Sequence, residues 1–564
     1  MSKQLQSRRS KRNRSRSLKI VLSFTIFMMF VLLVIGGWEA RRFFPYPTFL
    51  ARLGVENWQV WEFHDYFNIS PNTLSVVLDD RRLTTLEDPP VMNSGDIFFP
   101  ASFVREHIDP FMFWDDGAQT LFVSTDTEII RLPDQNVPMA FIQNMYTTFQ
   151  VEHRAEYNTI IIANLENMWA WDAETTRRTA IRYRPDRTAF ITTWAENGTT
   201  LTAFPSTEHE TDYFTRVRTE EGLLGYVLTS DILTTMPPIF FSSSMPLVPP
   251  RSPNINLTWE MITAPQGNVT AMNNPLPVGL NVVSPTWFNF DPVALNGDII
   301  SFASRAYVEW AHAQGVEVWA KAFDSSRDIS HAILTNYQAR ERAIAQLIQF
   351  ATDYNLDGIN INFEHVRSTD GGYYLQFLRE LAPEMRRIGA TLSVATFVPA
   401  SWHSQYHHEL VGRTVDFVAI MTYDEHVGNS PEPGPVASLP FVDRFIGDTL
   451  ELIPGEKILM GIPLYNRLWR VSPDGSHTSR ALGMYFPWTL IEEWGVTPTW
   501  DETIGSYYAN FTTADEDGSI VTYRIWVECE RSIREKLRIF SDNDLAGVAS
   551  WRRGLESEGV WEVI

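Results

Sequence analysis

The stretch "DGININFE", residues 357–364, decides how the second half of this chain is read. In a strand, side chains alternate between two faces. Ile359, Ile361 and Phe363 then share one face, and Asn360, Asn362 and Glu364 share the other. The first face reads as core. The second is either an exposed polar face or a place where a polar ligand is met, and the surrounding sequence has to choose.

Strand-like and helix-like runs alternate from about residue 277 to the end. The strand-like runs are 278–288, 297–304, 316–324, 357–364, 391–399, 415–426, 457–466 and 545–551. "NYQARERAIAQLIQFATDY", just before Asn355, reads as an amphipathic helix. Eight such units over residues 277–564 predict an α/β fold, a (β/α)8 TIM barrel. The long gap between the seventh and eighth strands, 467–544, reads as an α+β insertion that walls a cleft. Catalytic groups in such barrels stand at the C-terminal ends of strands. Glu364 ends the fourth strand, "MTYDEH" (421–426) the sixth and Trp551 the eighth. Three separate segments thus bring polar or aromatic groups to one end, which favours a site over an idle polar face.

With these residues in view, the chain resembles glycoside hydrolase family 18, the chitinases and related N-acetylglucosaminidases. "DGININFE" resembles the family's D-G-x-D-x-D-x-E signature, "MTYDEH" its M-x-Y-D strand and "GVASW" (547–551) its last strand. "NVVSPTWF" (281–288) and "YDEHVGNSPEPGPVA" (423–437) are similar to the branch of spore-cortex and spore-germination glycosidases. The resemblance implies cleavage of β-1,4 bonds next to N-acetylglucosamine by substrate-assisted, retaining catalysis. It implies that Glu364 is the general acid and base, that Asn362 holds the substrate's acetamido group, and that Tyr423 hydrogen-bonds that group's oxygen. Asp357 would tune the pair from the start of the strand, and Asn360, Met421, Asp424 and Trp551 would line the sugar site. No cofactor and no metal is implied. The expected partner is a polysaccharide containing N-acetylglucosamine, peptidoglycan first and chitin second.

The sequence departs from the signature at two places. The family carries Asp where Asn360 and Asn362 stand. An aspartate offers charge to a cationic intermediate, whereas an asparagine offers only a hydrogen bond. The alternative is therefore a catalytically impaired glycan-binding protein on the same fold.

The upstream half reads as two small β-rich domains. Residues 74–168, with "DPPVMNSGDIFFP" (88–100), resemble the stalk domain named after the N-terminal domain of copper amine oxidases, a name that implies no copper. Residues 176–236, with "GLLGYVLTSDI" (222–232), resemble bacterial Src-homology-3-like domains. Residues 43–72 read as a connector and 237–276 as a Pro-rich linker.

At the N-terminus, the basic head 1–19 precedes an uncharged apolar run, 20–38, long enough to span ~30 Å of hydrocarbon. Eight Lys/Arg lie before the run. That asymmetry predicts a single-pass cell-membrane anchor with a cytoplasmic N-terminus and an extracellular body. A cleaved signal peptide fits less well, because the run exceeds the usual length and no small-residue cleavage site follows. The net charge is -22 although residues 1–42 are basic, so the body is strongly acidic and a nucleic-acid partner is not expected. The single cysteine, Cys529, allows no intrachain disulfide and no cysteine metal site. His403 and His407 have a spacing that suits a metal on a helix, but they follow the fifth strand in a loop and no metal is expected there.

Overall fold

The structure, a computed structural model, describes residues 67–69, 73–79, 81–125, 127–165, 168–187, 189, 191–205, 213–236, 239–241, 254–514 and 518–564. The run 20–38 lies outside the described residues. Among the described residues no helix is long and apolar enough to cross a membrane, so the expected single-pass membrane anchor is not supported there.

Eight parallel strands close into a barrel. They are β1 (Ile255–Glu260), β2 (Val282–Pro285), β3 (Glu317–Phe323), β4 (Gly358–Asn362), β5 (Thr391–Thr396), β6 (Phe417–Ile420), β7 (Ile458–Pro463) and β8 (Gly547–Trp551). Each pairs with the next, and β8 pairs with β1 through Ile255 opposite Gly547, so no edge is left open. The (β/α)8 fold is as the sequence predicts, but two of its strands differ. β1 falls inside the expected linker 237–276. Its polar residues Asn256, Thr258 and Glu260 hide its strand character, yet all are buried and bonded, Thr258 to the Ser550 carbonyl and Glu260 to Arg553. The expected strand 297–304 is not in the barrel. Its centre, Ile299–Ser301, pairs antiparallel with Phe288–Phe290 as a short hairpin.

The opening stretch resolves into three environments. Ile359, Ile361 and Phe363 pack outward into the layer between strands and helices. Asn360 and Asn362 point into the barrel and are 0% and 1% exposed. Glu364 lies beyond the strand and is exposed. Gly358 is required by close approach: a Cβ there would meet the Trp319 ring at 2.9 Å and the Thr391 carbonyl oxygen at 2.8 Å. Trp319 itself belongs to the barrel interior and stacks on Phe417 at 5.6 Å.

The helix Tyr337–Tyr354 follows its sequence signals. The Asn336 side chain caps its start by accepting from the Ala339 N–H, and Asn355 ends it in the left-handed region. The insertion before β8 is a five-stranded antiparallel sheet, Tyr465–Val471, His477–Gly483, Thr499–Asp501, Ser506–Ala514 and Ile520–Val527, with one helix, Phe486–Trp494. It is shorter than expected, since Glu530–Asp542 is the barrel helix leading into β8.

The described residues divide into two compact units. One holds the residues up to Phe103 and those from Asn136 to 241. The other holds Val104–Gln135 together with the barrel. The expected domain 74–168 is therefore not one compact piece. Its middle forms a three-stranded meander, Phe113–Asp115, Thr120–Ser124 and Ile129–Leu132, that packs on barrel helices. In the first unit, Ser75–Leu78 pairs parallel with Thr159–Asn164. A separate antiparallel sheet runs through most of 168–234, beginning eight residues before the expected boundary at 176 with the strand Met168–Thr175.

Candidate active site

The C-terminal ends of the barrel strands open into a cleft of about 510 Å³. Glu364, Lys321, Trp259, Tyr423, Asp424 and Trp551 line its floor, and Trp402, His403 and Phe441 line its rim. Glu364 is placed by its own backbone. Its N–H donates to Asp324 at 2.9 Å, and the next residue's N–H donates to the same carboxylate at 3.0 Å. Asp324 is buried and also accepts from the Ser330 hydroxyl, so it clamps the turn that presents Glu364.

Tyr423 is buried at the end of β6, where burial, then Glu364 and Asp424, push its phenol well above the ordinary value. It is a neutral hydroxyl at any working pH, suited to donate a hydrogen bond. Asp424 follows in the left-handed region at φ 59°. It is held there by the Tyr465 hydroxyl at 2.6 Å and by Arg467 at 3.5 Å. Trp551 closes the floor, its ring 5.8 Å from that of Trp259.

The two asparagines lie one layer deeper than the sequence suggests, and neither lines the cleft. Asn360 accepts from the Trp259 indole at 3.0 Å and donates to the Ser393 hydroxyl at 2.9 Å. Asn362 donates to the Ala395 carbonyl at 3.2 Å, which fixes the plane of its amide directly below the floor. Asp357 is not at the site. It accepts from the Val318 N–H at 2.8 Å and pairs with His312 at 2.7 Å at the opposite end of the barrel. Seven positions of strand place it roughly 23 Å from Glu364. A carboxylate there acts on the β3–β4 register and not on chemistry. Met421 lines the cleft wall, half-buried.

His403 and His408 are spent on the backbone, bonding the Val398 and Phe397 carbonyls at 3.0 and 2.8 Å. Among the described residues no group of three or more His, Cys, Asp or Glu side chains could hold a metal ion. Trp469 is packing, fully buried with its indole on the Gly434 carbonyl.

Sequence reasoning missed four participants. Asp324 ends β3 as Glu364 ends β4, and its position at a strand end was the available signal. Trp259 was hidden with its strand. Trp402, 68% exposed at the rim, offers an indole face in a loop that carries no motif. Lys321 is a charged residue in the middle of "VEVWAKAFD", where an apolar residue is the rule. Burial lowers its ammonium to about 8, against Glu364 and Asp324, which raise it.

Residues 318–556 match the family model described as Glycosyl hydrolases family 18. It is 28% identical over 300 residues to the uncharacterized glycosylase YvbX of Bacillus subtilis (strain 168), covering 50% of this chain and 84% of that protein. It is 27% identical over 247 residues to the cortical fragment-lytic enzyme of Bacillus anthracis, covering 42% of this chain and 56% of that one. The chain thus spans little more than half the length of the cortical enzymes it matches. A solved spore cortex-lytic enzyme, SleL of Bacillus megaterium QM B1551, aligns with a TM-score of 0.47 at 22% identity, over 58% of this chain and 78% of that one.

Proposed function

We propose that this protein is a glycoside hydrolase that cleaves β-1,4 linkages next to N-acetylglucosamine, with peptidoglycan as its polymer, by substrate-assisted retaining catalysis. The observation that carries the reading is Glu364, whose carboxyl faces a cleft floored by Trp551 and bordered by the neutral phenol of Tyr423. In this scheme Glu364 protonates the leaving oxygen and then takes a proton from water. The substrate's acetamido oxygen attacks the anomeric carbon, and Tyr423 donates to that oxygen. Asn362 acts from beneath the floor by orienting the acetamido group, and Asp424, braced by Tyr465, borders the same sugar. Trp551 offers its face to the pyranose ring. Kinship with cortical fragment-lytic enzymes supports the choice of peptidoglycan over chitin. We propose further that the two β-rich pieces upstream are a stalk and a Src-homology-3-like module that hold the barrel near the wall.

A second reading, a glycan-binding protein with little turnover, is favoured by the neutral Asn362 and by the cation of Lys321. Neither helps a positively charged intermediate. Mass spectrometry of purified peptidoglycan, incubated with the full-length protein and with its Glu364→Gln variant, separates the two. New reducing ends at N-acetylglucosamine from the parent alone support the hydrolase, and intact glycan bound by both supports the binder.

A further inference from the structure

Three other buried cations of the barrel unit have carboxylate partners. Arg340 is bound by Asp115 and Glu380, Lys536 by Glu528, and Arg553 by Glu260. Lys321 differs. It is 6% exposed, and among the described residues no hydrogen bond or ion pair holds its ammonium. Three rings surround it instead. Nζ stands 4.5 Å from the centroid of Trp551, 5.8 Å from Phe323 and 5.9 Å from Trp259. The tip faces the cleft floor, beside the ring on which the sugar of the proposed reaction would lie.

A neutral glycan seated on Trp551 would cut this ammonium off from water without pairing it, and an unpaired buried charge is costly. An anionic group on the glycan would end that cost. We propose that Lys321 is a specificity determinant that pairs with a carboxylate carried by the bound glycan, so that the site takes an acidic amino-sugar strand in preference to a neutral one. The inference rests on reading the cleft as a sugar site and adds the charge of the sugar strand to it. The aromatic cage suits the task. It holds the side chain in place through cation–π contacts while leaving the hydrogen-bonding capacity of the ammonium unused. Burial lowers the proton affinity of Lys321, and the nearby carboxylates of Glu364 and Asp324 offset that only in part. The carboxylate has two sources in a wall polymer, the lactyl ether of the amino sugar and the peptide attached to it.

The test is calorimetric binding to the full-length protein carrying Glu364→Gln, which cannot consume the ligand. Four ligands of equal length are compared: a neutral N-acetylglucosamine oligomer, an alternating strand with free lactyl carboxylates, its methyl ester, and a strand with peptides attached. The free acid or the peptide-bearing strand should bind at least tenfold more tightly than the ester and the neutral oligomer, and which of the two does so identifies the source. Adding Lys321→Met should reduce that preference to within twofold. The comparison of acid with ester needs no change at Lys321, so it stands even where Lys321→Met folds poorly. Equal affinity for acid, ester and peptide-bearing strands overturns this inference alone. Failure to bind any glycan overturns the sugar-site reading and this inference with it.

Discussion

Arg340 and Asp115, 225 positions apart in sequence, meet at 2.6 Å with both side chains shut off from solvent, at 0% and 1% exposure. The same guanidinium donates to Glu380 at 2.9 Å and to the Leu334 carbonyl at 2.8 Å. Burial raises the carboxyl of Glu380, and Arg340 pulls it back. One arginine thereby joins the meander of 104–135 to two barrel helices, Tyr337–Tyr354 and Gly371–Arg387. Arg379 adds a second tie, its guanidinium 4.0 Å from the Phe111 ring centroid.

Replacing Arg340 by Met should destabilise the barrel unit strongly. The change leaves two buried carboxylates without their counter-charge, a loss of about 3–5 kcal/mol. Urea denaturation followed by tryptophan fluorescence measures it. Converting Asp115 and Glu380 to Leu in the same background should recover most of the loss, because the stranded charges are then gone. A loss below about 1 kcal/mol for the single change would mean that this network does not secure the segment.

Glu364→Gln should abolish turnover and leave the fold alone. The side chain is exposed, and the turn is held by backbone donation to Asp324, which glutamine retains. Removing a general acid and base costs about 10²–10⁴-fold in rate. Release of reducing ends from an N-acetylglucosamine oligomer reads the rate, and the melting temperature reads the fold. A variant as fast as the parent would remove Glu364 from the mechanism.

The barrel and the place of Glu364 at its C-terminal end, facing the cleft, were legible because periodicity and strand-end position carry that information directly. The rest was hidden for identifiable reasons. In β1 the polar residues Thr258 and Glu260 face the layer outside the strands and are bonded to partners up to 293 positions away, which no local pattern records. The run 297–304 has the composition of a strand and is one, but in a hairpin and not in the barrel. Asp357 shares a motif with Glu364, and motif membership concealed that a strand's two ends lie at opposite faces of a barrel. Lys321 was passed over because its strand was read for hydrophobicity alone.

Lys321→Met should raise stability at neutral pH by about 1–3 kcal/mol, since it replaces a buried cation with an apolar side chain of similar length. The direction with pH is fixed. In the folded protein the lysine loses its proton at about 8, while the unfolded chain keeps it to the ordinary lysine value of 10.5. Between those values the unfolded state binds more protons, so the parent gains stability as pH rises. The advantage of Lys321→Met is therefore full below about 8 and shrinks towards 10.5. Melting temperatures of both proteins at pH 7 and pH 10 check this. A gap that is constant with pH would show that the burial of Lys321 has no energetic consequence.

Asn362 is one of the two places where the sequence leaves the signature it resembles, and its buried amide bond to Ala395 turns that departure into two opposed expectations. Asn362→Asp removes the N–H that the Ala395 carbonyl accepts and sets a carboxyl against that oxygen, which costs about 1–3 kcal/mol when the carboxyl is ionised. Burial will hold the new carboxyl above its ordinary value, so the variant should be most stable in acid and should lose stability as pH rises through that value. Turnover should move the other way. Once ionised, the carboxylate offsets Lys321 and steadies a cationic oxazolinium, so the rate per folded molecule should equal or exceed that of the parent, and more so at higher pH. Asn362→Ala has neither the hydrogen bond nor the charge and should fall in both stability and rate. Rates and melting temperatures of all three proteins between pH 4.5 and 8 would be measured on one glycan oligomer. If the Ala variant turns over as fast as the parent, Asn362 only supports the floor. A silent parent beside an active Asp variant would mark the natural protein as a binder of the glycan its relatives cut.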